Sequence, residues 1–504
     1  MSAVPPVRST SHDTGRGEPN HLLEESILPV TLAGRQFGTL GFVYIWVGMA
    51  VIIATFSLGA TGVSGLPLGT VVATILLANL VLAVVMTLTA DIGTEHGLSF
   101  AVYLRAPFGT VGTHLPAISR GIVAAIWFGI QTYLGALAIN GIVEYFTGFS
   151  SWPLWYAVFA VVQVVNTALG IKAVERLASI AAPAIIAVSI WMYFTLEDLA
   201  SAEGHNIWTF AGGEQISILV LFVGNMAFWS ALAVDIPNLT RFLRTEAGAG
   251  SFVRRNKHVF AAQFLALPIT QAFVALIGAV SFIAAGDWNP VSVIQETSTG
   301  FTLFVLLALV ILAQWSTNNA ANLIPAALTF VNAGAPRLSY PVAVALAGVV
   351  GTLAMPWLIL ENLFTFLNYY GAVLSALGGI MLADYYVVRR RRLNVPDLYR
   401  ADGQFRFAGG VNPAGIIAWA AAGGVAVVLL DYAYIVGLPL GFVLYLVLMK
   451  LWILPRYPQQ EVTSGFDVRF LATTAGCEWV YSSDDGGLTR APAGTITAAD
   501  RPDV

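Results

Sequence analysis

The sequence predicts an all-α integral membrane protein with twelve membrane-spanning helices. Three observations carry that prediction. Hydrophobic residues make up 57% of the 504 positions and charged residues only 10%, whereas soluble domains carry roughly 25% charge. The apolar residues fall into runs near the ~20 positions that a helix needs to cross a bilayer. The basic residues fall on alternate loops, as the positive-inside rule requires.

Taken in order, the apolar segments run at about 39–59, 67–90, 113–145, 152–170, 178–197, 215–234, 259–285, 302–332, 341–360, 363–388, 413–431 and 434–453, numbered 1 to 12 below. Segments 3 and 8 exceed one crossing, so they are expected to tilt or to include a surface turn. With a cytoplasmic N-terminus, Arg35, Arg105, Lys172, Arg176, Arg241, Arg244, Arg254, Arg255, Lys257, Arg337, Arg389 to Arg392, Arg400, Arg406 and Lys450 all fall inside, and Arg120 marks the inner start of segment 3. The outer loops then carry acids such as Glu197, Asp198, Glu203, Asp287, Glu296, Glu361 and Asp431. This asymmetry places both termini in the cytoplasm and the protein in the cytoplasmic membrane, in contact with lipid and not with nucleic acid. A monomer is the expected state.

Residues 1–38 read as a polar cytoplasmic segment with no signal-peptide core, and 39–453 as one membrane domain. Residues 454–504 are rich in Gly, Ser, Thr, Asp and Ala and are expected to form a mobile cytoplasmic tail. The single Cys477 forbids an intrachain disulfide. The longest inner loops, 236–258 and 389–412, are too short to fold alone, so the chemistry must lie inside the membrane.

There the sequence has an internal correspondence. Segment 1 carries WVGMAV and segment 6 carries FVGNMAFW, each with a Gly near its middle and five segments apart. Interrupted helices at matching positions of two halves mark inverted-repeat transporters, although a small residue also lets membrane helices pack closely. Segment 3 places Trp127 and Gln131 four residues apart, on one helix face, and segment 8 places Asn318 and Asn322 at the same spacing. Amides that converge in an apolar interior either bond neighbouring helices or read the alternating C=O and N–H edge of a cyclic ureide or nucleobase. An indole face beside them gives a flat ring something to stack on. Ser316 and Thr317 suit a small cation, completed by carbonyls freed near Gly48 to Val51, or else bond carbonyls one turn back. No ionisable residue falls near the middle of a segment, which favours a metal cation over a proton and a neutral substrate over a charged one. No nucleophile paired with a base, HExxH motif or phosphate loop is present, so an enzyme is not expected.

AIWFGIQTYLGALA, AQWSTNNAANL, GDWNPV and FLNYYGAVLSALGGIMLADYYVVRRRR leading into DLYR resemble the first nucleobase:cation symporter family, and within it the bacterial hydantoin transporters most closely. The similarity runs from about Leu28 to segment 12. It implies a leucine-transporter-type fold with a five-plus-five inverted repeat (about 39–197 and 215–388) and two additional helices (about 413–453). It also implies a ring stacked on Trp127 with Gln131 and Asn322 on its edge, Asn318 lining the pocket, and a thin gate at Leu367. Sodium, the implied coupling ion, would be held by Ser316, Thr317 and the carbonyls of Ala313, Gly48 and Val51, and no cofactor is implied. Two positions depart from the hydantoin transporters: Ile52 replaces a pocket Gln and Met226 replaces a second stacking Trp, while Asn225 is a candidate new polar contact. The expectation is a symporter that imports a small neutral nitrogen ring such as a hydantoin, allantoin or a nucleobase with sodium. The alternatives are a proton-coupled nucleobase permease, an amino-acid transporter of the same fold, and a membrane ligand sensor.

Overall fold

The computed structural model describes residues 22–210, 212–482 and 486–494; the rest of the predicted N-terminal segment and the last ten residues of the tail lie outside the described residues. Helix dominates, as the apolar runs require. Among the described residues, seven helices are long and apolar enough to cross a membrane: Leu68–His96, His114–Thr147, Ile218–Asp235, Lys257–Ala285, Gly300–Gly334, Leu363–Val388 and Leu430–Arg456. An eighth is the bent pair in segment 1. Shorter apolar helices, Trp152–Ala168, Tyr340–Leu353 and Pro413–Val428, stand at segments 4, 9 and 11, and Ile171–Ala202 stands at segment 5.

Segment 1 breaks in its middle. Helix Thr39–Ala50 ends at Val51 (φ −89°, ψ 65°), Ile52 is extended, and a second helix runs to Val63 at an angle of 56°. The Thr55 hydroxyl donates to the Ala50 carbonyl across the break (3.0 Å), which satisfies one acceptor left by the lost turn. Segment 6 does not break. Ile218–Asp235 is one helix through Gly224, so the matching interruption is absent there. A Cβ on Gly224 would lie 3.3 Å from the Phe364 ring, and the glycine serves close packing against segment 10 instead.

Segments 7 and 8 each contain a wide π turn, at Ala262–Ala266 and Asn319–Leu323, just before Pro268 and Pro325. Proline has no N–H and cannot donate to the carbonyl four residues back, so the helix widens and a carbonyl is released inside the bundle. In segment 8 that carbonyl belongs to Ala321.

One end of the bundle collects buried arginines, among them Arg35, Arg105, Arg255 and Arg389. Arg255 donates to Asp91 (2.9 and 2.5 Å) and pairs with Glu95 (3.1 Å), all with fully buried side chains. Arg389 pairs with Asp384 (2.7 Å) and with Glu461, while Tyr103 and Tyr445 donate to Asp384 (3.0 and 2.6 Å).

The expectation of a mobile tail fails for the residues described. Strands β1 (Cys477–Ser482) and β2 (Gly487–Pro492) form an antiparallel hairpin, with Cys477 opposite Pro492 and Ser482 opposite Gly487. The chain leading to it docks on the arginine-rich end: Ala472 and Thr474 amides donate to Glu95 (2.9 and 3.1 Å), Thr473 bonds the carbonyls of Thr94 and Glu95, and Leu393 donates to Phe470. Arg35, in the segment preceding the first helix, is pushed down to about 10 by burial, with Glu95 and Glu478 offsetting part of that loss, so it stays charged at neutral pH. Polar composition hid this docking because many of the partners are backbone amides and hydroxyls, and the apolar side chains buried with them, such as Phe470, Leu471, Trp479 and Leu488, are few and follow no regular period.

Candidate functional site

The break in segment 1, the π turn in segment 8 and the middle of segment 3 meet in the interior. The cation residues come together first. With Ile52 extended, the Gly48 carbonyl has lost its helical donor, and Thr317 donates to it at 2.6 Å while also bonding the Ala313 carbonyl at 3.0 Å. Ser316 sits so close that a Cβ on Gly48 would lie 3.2 Å from its Oγ. Gly48, Ala313, Ser316 and Thr317 thus form a neutral, all-oxygen locus between segments 1 and 8. Such a donor set suits a hard cation and not a thiophilic one. Val51, the fifth predicted ligand, lies at the break itself. Among the described residues no group of three His, Cys, Asp or Glu side chains is placed to hold a metal.

One helical turn further along segment 8, the two asparagines differ. Asn318 is fully buried, and its amide hydrogens are engaged. Its Nδ2 reaches Gln163 Oε1 (2.8 Å), Phe128 O (3.1 Å) and Thr132 Oγ1 (3.1 Å), and its Oδ1 accepts from Asn322 (2.7 Å). Asn318 therefore orients Asn322, with its amide hydrogens engaged and one acceptor position left on its carbonyl. Gln163 and Thr132, which complete this network, were not singled out in the sequence. Gln163 is the signal that could have found it, since it is one of only two amides in the apolar helix Trp152–Ala168. Asn322 spends one amide hydrogen on Asn318, and its carbonyl bonds none of the described residues.

Across from it, Gln131 is 3% exposed and its Oε1 has no partner among the described residues. A buried amide oxygen left unpaired costs roughly 1–3 kcal/mol, so the site holds hydrogen-bonding capacity in reserve. Trp127, on the same face, is buried, meets Phe228 edge to face (5.6 Å, 72°) and lies at a tilt to Phe366 (6.2 Å, 58°). Phe228 is fixed by Tyr370, whose hydroxyl donates to its carbonyl (2.8 Å).

Two sequence expectations change. Asn225 does not face this locus; it is fully buried and donates to Asn79 on Leu68–His96 (3.0 Å). From segment 6 it is Phe228, two positions beyond Met226, whose ring meets Trp127, and Trp229 behind it donates to Gln271 (2.7 Å). Ile52 and Met226 are both buried, as is Leu367 on the segment 10 helix.

A bundle of apolar helices long enough to cross a membrane, with amides and hydroxyls gathered in its interior, fits an integral membrane protein. The sequence profile described as permease for cytosine/purines, uracil, thiamine, allantoin matches residues 29–453, and the chain belongs to that family. It is 31% identical to a hydantoin permease of Microbacterium maritypicum, covering 88% of this chain and 91% of the relative. It is 26% identical to an allantoin permease of Bacillus subtilis, covering 86% and 94%. Among solved structures it is similar to Mhp1, a nucleobase-cation-symport-1 family transporter, in a closed conformation with bromovinylhydantoin bound, with a TM-score of 0.81 and 30% identity over 87% of this chain and 97% of that one. These relatives are permeases and not enzymes.

Proposed function

We propose that the chain is a sodium-coupled symporter that imports a small, neutral, nitrogen-rich ring, of the hydantoin, allantoin or nucleobase class, by alternating access. In this reading the twelve segments all cross the membrane, with both termini in the cytoplasm. Segments 1–5 and 6–10 form two inverted repeats, segments 11 and 12 lie outside them, and the unit is a monomer. The family and the names of the relatives support the substrate class.

The observation that carries the reading is the pair of amides left with open hydrogen-bonding capacity, Gln131 and Asn322, beside the Trp127 face. A ring with adjacent C=O and N–H groups satisfies both amides while it lies on the indole, and a saturated or purely apolar ligand leaves them unpaired. With Phe228 and Phe366 packed against Trp127, the slot favours a compact ring over one bearing an aryl group. Sodium would be bound by Gly48, Val51, Ala313, Ser316 and Thr317. Because Thr317 and Asn318 are consecutive, the ion would steady the helix turn that carries the amides. Coupling in binding free energy is reciprocal, so the ring compound must raise sodium affinity by the same factor that sodium raises its own.

A thermal-shift screen of purified protein against hydantoin, allantoin, uracil, cytosine and hypoxanthine, each with sodium or choline, tests both parts. A ligand that binds only the native state raises its melting temperature by mass action. The reading requires at least one ring compound to stabilise the protein, and more strongly in sodium. Equal stabilisation in choline removes sodium, and stabilisation by amino acids alone removes the ring.

A further inference from the structure

Below the aromatic contact lies an ion pair that the substrate and cation sites do not use. Arg120 on segment 3 pairs with Asp235, the last residue of the segment 6 helix, at 2.8 Å, and both side chains are at least 98% buried. The same two helices meet at Trp127 and Phe228. Arg120 precedes Trp127 by seven residues and Asp235 follows Phe228 by seven, so on antiparallel helices the ion pair lies two turns, roughly 10 Å, from the aromatic pair on the same faces. The guanidinium also donates to Ala231 O on segment 6 and to Ala321 O on segment 8, both at 3.2 Å. Ala321 is the carbonyl that Pro325 leaves without its helical donor, and its neighbour is Asn322. One arginine therefore ties three helices together immediately beneath the ring slot, toward the arginine-rich end.

We propose that the Arg120–Asp235 pair is the inner lock of the transport path, closed in this conformation and broken when the site opens toward the arginine-rich side. The proposal rests on the transporter reading. A ring stacked on Trp127 can leave toward that side only by parting segments 3 and 6, and the contacts between them at this level are the ion pair and the Arg120 bond to Ala231. Parting them also releases the Ala321 carbonyl, which loosens the turn that holds Asn322. Ala321, whose carbonyl Arg120 holds, and Asn322, which carries the ligand amide, are adjacent residues on one π turn, so opening and ligand release are mechanically joined. Arg120 and Asp235 are positioning residues in this scheme and do not touch the ring.

The test is side-specific access in full-length protein carrying Cys477→Ser and a reporter, Ala231→Cys, which lies between Phe228 and Asp235 on the path face. Inside-out membrane vesicles are treated with a membrane-impermeant maleimide. Adding Asp235→Asn is expected to raise the labelling rate about tenfold as the open population grows, and the exchanged pair Arg120→Asp with Asp235→Arg to return it to the starting rate. The neutral pair Arg120→Gln with Asp235→Asn leaves no unpaired charge and keeps the test readable if the single variant does not fold; it too must label faster. Unchanged labelling in the folded neutral pair overturns the proposal, as does an exchanged pair that folds and labels as fast as the single variant. The substrate reading is judged separately by ligand-induced thermal shifts, so faster labelling without ring binding preserves the lock and removes the substrate.

Discussion

Two regions of this protein bury polar side chains, and they do so differently. At the arginine-rich end, Arg255 satisfies Asp91 and Glu95, and Asp91 also accepts from Asn256 (2.6 Å) and Tyr385 (3.3 Å). Arg255 and Arg389 there each meet two carboxylates. In the centre, the amide hydrogens of Asn318 are engaged, but Gln131 and Asn322 keep open positions. A closed network fixes structure, since each partner already has what it needs. An open one is costly at rest and recovers that cost when a ligand arrives.

The largest expected effect falls on the closed network. Arg255→Met leaves two buried carboxylates uncompensated and should cost about 3–5 kcal/mol of stability, read as a fall in melting temperature in detergent, while the folded fraction still binds ligand. Stability within error of the parent would mean that the two regions are not different in kind.

Next comes the open network. Asn322→Ala or Gln131→Ala removes one edge contact to the ring and should weaken ring binding by roughly 10- to 100-fold, about 1.5–3 kcal/mol, with little change in melting temperature without ligand. Asn318→Ala should do both, because it strips Asn322 of its orienting bond and leaves Gln163 and Thr132 short of a partner.

A smaller effect is expected at the junction with segment 1. Gly48→Ala puts a methyl 3.2 Å from Ser316 Oγ and should weaken sodium binding several-fold, about 1 kcal/mol. It should reduce ring affinity only in sodium, which titration in sodium and choline buffers resolves.

The smallest effect concerns the docked tail. Burial raises the Glu461 carboxyl above the ordinary carboxylate range, and Arg389 pulls it only part of the way back. The docked form then holds a proton more tightly than a loose tail does. This contribution is complete below the usual glutamate value and is lost as pH rises through the raised one. Amide exchange in β1 and β2 should speed up as pH is raised from about 4 toward neutrality beyond the intrinsic chemical rate, and Glu461→Gln should flatten that slope.

Legibility in the sequence followed the same division. The aromatic face, the Asn318 and Asn322 spacing and the Ser316–Thr317 pair could be read from residue type and helical period, because side chains three or four apart share a face whatever surrounds them. Which of two equally spaced asparagines is spent and which is open could not, because that depends on Gln163 and Thr132 arriving from other helices. Asn225 shows the same limit, since its position was right for the pocket helix but its rotation about the axis points it to Asn79. The docking of the tail was not legible because it combines backbone hydrogen bonds, which composition does not record, with a few scattered apolar anchors such as Trp479 and Leu488.

By itself, then, the sequence determined the membrane class, the order of apolar segments and the residue types from which the site is made, since hydrophobic length and period are local properties. Only the tertiary structure decided where segment 1 breaks and segment 6 does not, and that the Phe228 ring meets Trp127. It alone brought Arg120 and Asp235 together two turns away. Each of these depends on how far one helix turns about its axis against another, and packing of the whole bundle sets that angle.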